Sequence, residues 1–449
     1  MIDNSAPDYP RHRHILAMAW PVVVAGVSTP LLGLVDTAVI GQTRPASALG
    51  AIAIGSLALT FMYWAFGFLR MSTTGFVAQA QGAGNSLEVR TASLRAIALG
   101  GALGIAICAL QVPIAAVALP LLGASGDLSE LAGTYIVIRI WAAPATLMLY
   151  AVSGMFIGLG QTRLLLKTQL LLNGLNIVLD VLLAGVLDMG VRGIAIGTLI
   201  AEWAAAIWGL WLAYRLLQKH HSDSGPLLPW HALRHRSAWR DTMTANGNIM
   251  IRTLALLAGM VWFTRQGALL GEVTLAANHV LIGFVSFCAF FMDGVAFSTE
   301  SLVGAAKGSR DLPKFDRIVR RSSEIALVLG LLLAAILYLA GDWLIRLITD
   351  IPSVVIAAEA MLPLTAGYIA LSIAAFQLDG IFIGTTRTRE MRNAAIISAS
   401  LFSASSAVLI GPWGQTGLWI SMLVWTSLRG ITLLIYLPAL RRDVPIARS

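Results

Sequence analysis

The sequence predicts an all-α polytopic membrane protein, and three observations carry the prediction. Of its 449 residues, 57% are hydrophobic and only 12% are charged, where a soluble domain carries about 25% charge. Twelve apolar stretches are each long enough to cross a bilayer core of about 30 Å, which takes roughly 20 helical residues. None shows the strict alternation of a β-barrel strand. The composition also excludes a disordered chain and removes nucleic acid as the partner of the +8 net charge. In a membrane protein, excess Lys and Arg gather on cytoplasmic loops instead.

The stretches run approximately over 14–40, 48–69, 94–122, 132–158, 163–187, 190–216, 245–265, 273–302, 322–348, 353–385, 391–411 and 415–440. The first is too long for a signal-peptide core and is expected to remain as helix one. With both termini placed in the cytoplasm, 23 of the 31 Lys and Arg fall on inner loops. Only Arg44, Arg192, Arg265 and Arg346 fall outside, while Arg70, Arg139, Arg252 and Arg429 lie within apolar runs. That asymmetry orients the chain and agrees with an even number of crossings. Cys108 and Cys288 sit in apolar runs and form neither a disulfide framework nor a metal cluster.

The one long polar connection divides the chain near its midpoint. We expect a six-helix lobe at 1–217, a cytoplasmic linker at 218–243 and a second six-helix lobe at 244–449. Residues 49–85 and 275–311 align without a gap at an offset of 226, with eight identities, Ser72/Ser298, Thr73/Thr299 and Gly82/Gly308 among them. Six helices per half makes a parallel repeat, as in many secondary transporters, whose sites lie near the midplane. His220, His221, His231 and His235 of the linker read as solvated interfacial residues.

Ionisable residues within hydrocarbon are costly and mark candidate sites. Asp36 lies in helix one, which Pro21 and Pro30 interrupt, leaving carbonyls free to face a cavity; it also fits a carboxylate near the outer headgroups. Asn176 and Asp180 share one face of helix five, and Thr198 and Glu202 share one face of helix six. Asp36, Asn176, Asp180 and Thr198 together offer oxygens for a hard cation such as Na+, or for a proton shared between two carboxylates. Interhelical hydrogen bonding alone is an equal reading for Asn176 and Thr198. Glu202 is expected to pair with Arg139 or Arg70, in a structural or a gating role. In the second half Arg252, Asp293, Glu300, Asp379 and Arg429 either pair with one another or meet substrate. Met62 belongs to an adaptable apolar pocket. His279 is expected to be a satisfied interior histidine, and the glycines around Ala98–Gly104 to mark close helix packing.

Enzymatic chemistry finds no foothold. HExxH, GxSxG and the phosphate-binding GxxxxGK[ST] are missing from the sequence. No cofactor is expected, and energy for transport must come from a gradient.

Several segments resemble the multidrug and toxic compound extrusion (MATE) transporters. Leu31–Gly41 (LLGLVDTAVIG) resembles their first-helix signature. Phe68–Gly75 and Ala78–Asn85 resemble the end of helix two and its loop. Asn173–Asp180 and Gly193–Glu202 resemble helices five and six, and Leu378–Asn393 resembles helix ten of the DinF-like branch. The resemblance implies twelve transmembrane helices in two pseudo-symmetric six-helix bundles, arranged as a V. It implies a monomer of the bacterial-type inner membrane that exports amphipathic, often cationic small molecules in exchange for H+ or Na+. The coupling residues it implies are Asp36, Asn176, Asp180 and Thr198, with Pro30 placed to let helix one bend. The residues themselves, apart from the resemblance, offer Pro30, Met62, Glu202, Arg252, Asp293, Glu300 and Asp379 as candidates for substrate or gating roles. A lipid or lipid-linked-saccharide flippase of related architecture is the alternative; such proteins tend to have a more cationic cavity. A twelve-helix major-facilitator transporter lacks support, because GAGNSLEVR stands where its Asp- and Arg-rich loop belongs.

Overall fold

The computed structural model describes residues 11–43, 46–123, 126–220 and 229–444, apart from the side chains of residues 31, 32 and 34–47. Among these residues every regular element is a helix. In order they are α1 (His12–Thr43), α2 (Ala46–Ala65), α3 (Phe68–Gly82), α4 (Ser86–Ala109), α5 (Gln111–Leu121), α6 (Gly126–Arg139), α7 (Ala143–Gly158) and α8 (Thr162–Asp180). There follow α9 (Gly190–Lys219), the single turn α10 (Trp230–Leu233), α11 (Arg236–Leu269), α12 (Glu272–Gly308), α13 (Leu312–Ile348), α14 (Pro352–Gly384) and α15 (Thr388–Arg442).

Ten segments among the described residues are long and apolar enough to cross a membrane. The last, α15, is 55 residues long and turns at Gly414, where φ is 52° and ψ is −127°. A helix of that length far exceeds the bilayer core, so α15 supplies two crossings. With α1 the crossings number twelve. Helices overrun the apolar stretches at their polar ends. α4 starts at Ser86 rather than near 94, because the Asn85 side chain accepts from the Glu88 N–H at 3.0 Å and caps it. α11 starts at Arg236, inside the expected linker. Hydropathy marks the hydrocarbon thickness, whereas a helix ends where its backbone is capped.

The chain packs as two compact units, one of Val24–Met243 and one that joins Thr244–Ser449 to the chain up to Val23. α1 is therefore shared. Its Ala19 lies in the second unit's core with Leu281, Met292 and Trp419. A Cβ on Gly294 of α12 would stand 3.0 Å from the Ala19 carbonyl oxygen.

Two of the helices, α8 and α13, show how a membrane helix divides its faces. α8 buries Thr168, Asn173, Asn176 and Asp180 and exposes Leu170, Leu171 and Val178. α13 buries Ala326, Gly330, Ala334 and Gly341 and exposes Val328, Leu332 and Leu339. Lipid is as apolar as leucine, so the inner face goes to small residues that pack closely and polar ones that must be paired.

The internal repeat recurs in three dimensions. Gly154 and Gly158 of α7 lie against the Arg70 and Thr74 carbonyls of α3, where a Cβ on Gly158 would come within 2.9 Å of the Thr74 oxygen. Their counterparts Gly380 and Gly384 of α14 lie against the Ala296 and Glu300 carbonyls of α12, with 2.7 Å between a Gly380 Cβ and the Ala296 oxygen. Every residue in the second set stands at the sequence offset of the repeat from its mate. Positive φ recurs at Gly84 and Arg310 (66° and 58°), at Gly160 and Thr386 (69° and 56°), and at Asp188 and Gly414 (55° and 52°). Asn85 and Asp311 cap α4 and α13 in the same way.

Against this symmetry the first unit departs four times. α12, α13 and α14 run unbroken, but their counterparts do not: α4 and α5, which match α13, are separated by a turn at Leu110. A turn at Phe66–Gly67 separates α2 from α3, and the 3-10 turn Ile140–Ala142 separates α6 from α7. α8 passes into a π-helical turn, Val181–Val186, where the matching part of α15 stays α-helical. Such irregularities inside helices concentrate at functional sites.

Candidate ion-coupling site

α8 and α9 run side by side, and their polar faces meet in the first unit. Asn176 Nδ2 donates to Asp180 Oδ2 at 2.8 Å and to Thr198 Oγ1 at 3.1 Å. The Thr198 hydroxyl donates in turn to the Ile194 carbonyl at 2.9 Å. Asn176 and Asp180 are fully buried and Thr198 is 4% exposed. Gly197 stands beside the Asp180 carboxylate where any side chain would collide with it. One turn away, Asn173 donates to Ser28 Oγ of α1 at 2.7 Å and accepts from Gln169 at 3.1 Å. The π-helical turn starts directly after Asp180. Three of the four expected coupling residues are thus joined in one hydrogen-bonded set. Asp36 lies on α1, but its side chain is outside the described residues.

The set is chemically specific. Asn176 Oδ1 is buried with no hydrogen-bond partner among the described residues. A buried acceptor without a donor costs about 1–3 kcal/mol, and a bound cation would remove that cost. The amide, carboxylate and hydroxyl oxygens of Asn176, Asp180 and Thr198 are the ligand type that Na+ prefers.

A second polar centre lies on the same face of α9. Glu202, one turn beyond Thr198, accepts from Arg139 Nη2 at 2.6 Å and from Thr146 Oγ1 at 2.7 Å. Arg139 also donates to the Tyr135 hydroxyl at 2.9 Å. Of the two partners the sequence offered, Arg139 is the one bonded. The freed backbone at the neighbouring 3-10 turn is satisfied: Cys108 donates to the Ile140 carbonyl, Trp203 to Trp141 and Thr146 to Ala142.

In the second unit Asp379 accepts from Arg252 at 2.5 Å and also from Arg429. Asp293 lies within electrostatic reach of Arg429. Glu300 is buried beside Gly384. Pro30 is exposed on α1, which stays helical through it. Met62 lines an apolar recess of about 470 Å³ with Leu110, Ile114 and Val117. Gly100 packs on α7 as expected, a Cβ there reaching 2.6 Å from the Leu147 oxygen.

Two expectations are corrected: α1 runs as one helix through Pro21 and Pro30, which do not interrupt it, and His279 is not an interior residue. His279 is exposed, and its neighbour Asn278 is the buried residue. Asn278 Oδ1 accepts from Trp419 Nε1 at 2.9 Å and from Gln415 at 3.2 Å. The apolar surroundings of both residues give no signal for which of two neighbours faces inward. Tyr63, Tyr135 and Thr146 also escaped the sequence reading, because an aromatic or hydroxyl residue in an apolar helix is ordinary until its neighbour across the bundle is known. Beyond α9, partial burial lowers the pKa of His220 from its ordinary value, because desolvation disfavours the charged ring.

Twelve crossings, two repeated units and buried polar centres define a polytopic helical membrane protein of transporter type. The MatE family profile matches residues 21–182 and again 249–409, one match in each half of the chain. The chain is similar to DNA damage-inducible protein F of Escherichia coli (strain K12), with 35% identity over 421 residues, covering 93% of this chain and 90% of that one. It is similar to a probable multidrug resistance protein NorM of Xanthomonas axonopodis pv. citri, with 28% identity over 92% of this chain and 91% of the relative. Its fold matches a solved outward-facing multidrug resistance MATE family transporter of the MOP superfamily with a TM-score of 0.84, covering 96% of this chain and 97% of that one at 19% identity. The chain belongs to the MatE family.

Proposed function

We propose that this transporter is an ion-coupled antiporter. It exports amphipathic, mainly cationic compounds across the inner membrane by alternating access, with H+ or Na+ as the coupling ion and both termini in the cytoplasm. The observation that carries this reading is the Asn176–Asp180–Thr198 set, an oxygen-rich polar centre buried between two membrane helices. The second unit has Phe402 and Ser406 at the positions of Asn176 and Asp180. That difference between the repeats supports a role beyond packing. The names of the NorM relatives support drugs as cargo.

In this scheme a cation from the outer side reaches Asp36 and Asp180 and neutralises their charge. Sodium would be held by Asn176 Oδ1, the Asp180 carboxylate and Thr198 Oγ1; a proton would be shared between the carboxylates. Neutralisation releases substrate outward, because ion and substrate favour different states of the same protein. Efflux of ethidium from proteoliposomes tests this under separate pH and sodium gradients. Wild type should run on one gradient, and Asp36→Asn and Asp180→Asn should each lose at least tenfold of that rate. Unchanged efflux in both inserted variants would sink the reading. Binding of a lipid-linked saccharide in place of ethidium would favour the flippase.

A further inference from the structure

We propose that Glu202 is a second proton-binding station, lying on the cytoplasmic side of Asp180 and serving the exit of the coupling ion, with Arg139 as its counter-charge. This rests on the coupling reading above and assigns its ion as a proton. Three independent observations lead to it.

The first is position. Thr198 and Glu202 share a buried face of α9 one turn apart, about 6 Å along the axis. Asp180, Asn176 and Thr198 are joined by hydrogen bonds, so Glu202 is the next ionisable group along that face. With the termini in the cytoplasm, α9 runs inward from Gly190 to Lys219, and Glu202 is the deeper of the two stations.

The second is the irregular backbone. The 3-10 turn Ile140–Ala142 breaks the α6–α7 crossing beside Arg139. Arg139 closes the C-terminal end of α6, and Glu202 is bonded to Thr146 in the first turn of α7. Each charge meets the helix end whose dipole favours it. In the second unit α14 is continuous, and Thr365 stands where Arg139 would. Ion pair and break occur together in one repeat and are both missing from the other.

The third is unspent polarity. The Tyr63 hydroxyl and Arg139 Nε are buried without hydrogen-bond partners among the described residues. Tyr63 lies within electrostatic reach of both Glu202 and Arg139. Tyr150 lies within reach of Glu202 and Arg70. A donor and a hydroxyl of this kind would bind a water molecule placed between them, and a proton moving between carboxylates needs such a carrier. The groups facing Glu202 are then Arg139 from α6, Thr146 and Tyr150 from α7 and Tyr63 from α2, with Tyr135 bonded behind Arg139 and Arg70 within reach of Tyr150.

The step balances simply. The proton leaves the Asp180 carboxyl and protonates the Glu202 carboxylate, and Asp180 regains its charge. Neutral Glu202 leaves the Arg139 guanidinium uncompensated in a medium of low dielectric, which drives the proton onward to water.

A buried ion pair that serves packing alone can be replaced by apolar residues of similar volume at little cost. The experiment is therefore ethidium efflux under a pH gradient in the Arg139→Met/Glu202→Leu double variant, in Glu202→Asp and in Glu202→Gln, beside Asp180→Asn. The double variant and Glu202→Gln should bind ethidium within threefold of wild type and lose at least tenfold of proton-driven efflux. Glu202→Asp, which keeps a titratable group, should retain a third or more of that rate. Wild-type efflux in the double variant or in Glu202→Gln would overturn the proposal, and so would efflux of the wild type on a sodium gradient alone. If Asp180→Asn is inactive while the pair replacement transports, only the Glu202 station falls. If Asp180→Asn also transports normally, the coupling reading falls with it.

Discussion

Asn176 and Phe402 occupy equivalent positions of the two repeated units, and their side chains do opposite things. Asn176 donates to a carboxylate and a hydroxyl. Phe402 is fully buried and stacks on Trp425 with ring centroids 4.8 Å apart. One fold therefore accepts either an apolar or a polar filling at this level of the bundle, and only one unit uses the polar one.

Because the repeat tolerates an apolar residue here, Asn176→Leu should insert and fold. It removes the amide that links Asp180 to Thr198, so ion-driven efflux should fall at least tenfold. Thermal unfolding and proteoliposome efflux measured on the same preparation separate the two effects. A variant that transports at the wild-type rate would assign Asn176 to packing.

The glycine contacts between helices predict a graded series. Gly158→Ala and Gly380→Ala place a Cβ 2.9 and 2.7 Å from a carbonyl oxygen of the facing helix. Each should destabilise by about 1–3 kcal/mol, as overpacking generally does. Gly174 of α8 has nothing within 4 Å of its Cβ position, so Gly174→Ala should be neutral or stabilise by up to about 1 kcal/mol. Denaturant unfolding in micelles ranks the three.

The ion cluster of the second unit predicts an asymmetry. Asp379 serves both Arg252 and Arg429, so Asp379→Asn strips the carboxylate from two buried guanidinium groups and should cost about 3–5 kcal/mol. Arg429→Gln leaves the Arg252–Asp379 pair in place and should cost less. Equal losses in unfolding free energy would show that the cluster does not act as a unit.

The caps offer a test of the repeat itself. Asn85 accepts from the Glu88 N–H at 3.0 Å and Asp311 from the Lys314 N–H at 2.8 Å. Asn85→Ala and Asp311→Ala should each cost about 1 kcal/mol, the usual worth of such a cap. A loss confined to one of them would mean that the matching turns carry unequal load.

Much of this protein was legible in its sequence. Twelve apolar runs, the clustering of Lys and Arg, and an internal match at half the chain's length determined the class, the number of crossings and the repeat. Helical spacing placed Asn176 beside Asp180 and Thr198 beside Glu202, because residues four apart share a face whatever surrounds them. Other features were decided only by tertiary structure. Glu202 pairs with Arg139 and not Arg70, Asn278 rather than His279 turns inward, and Asp379 gathers two arginines. The break at Phe66–Gly67 carries no proline to announce it. The physical reason is common to the side-chain choices. In a bilayer the lipid-facing and core-facing sides of a helix are equally apolar, so hydropathy reports that a helix crosses but not how it is rotated about its axis. That rotation is settled by which small residues let two backbones meet and which polar groups must find a partner, and both are properties of helix pairs.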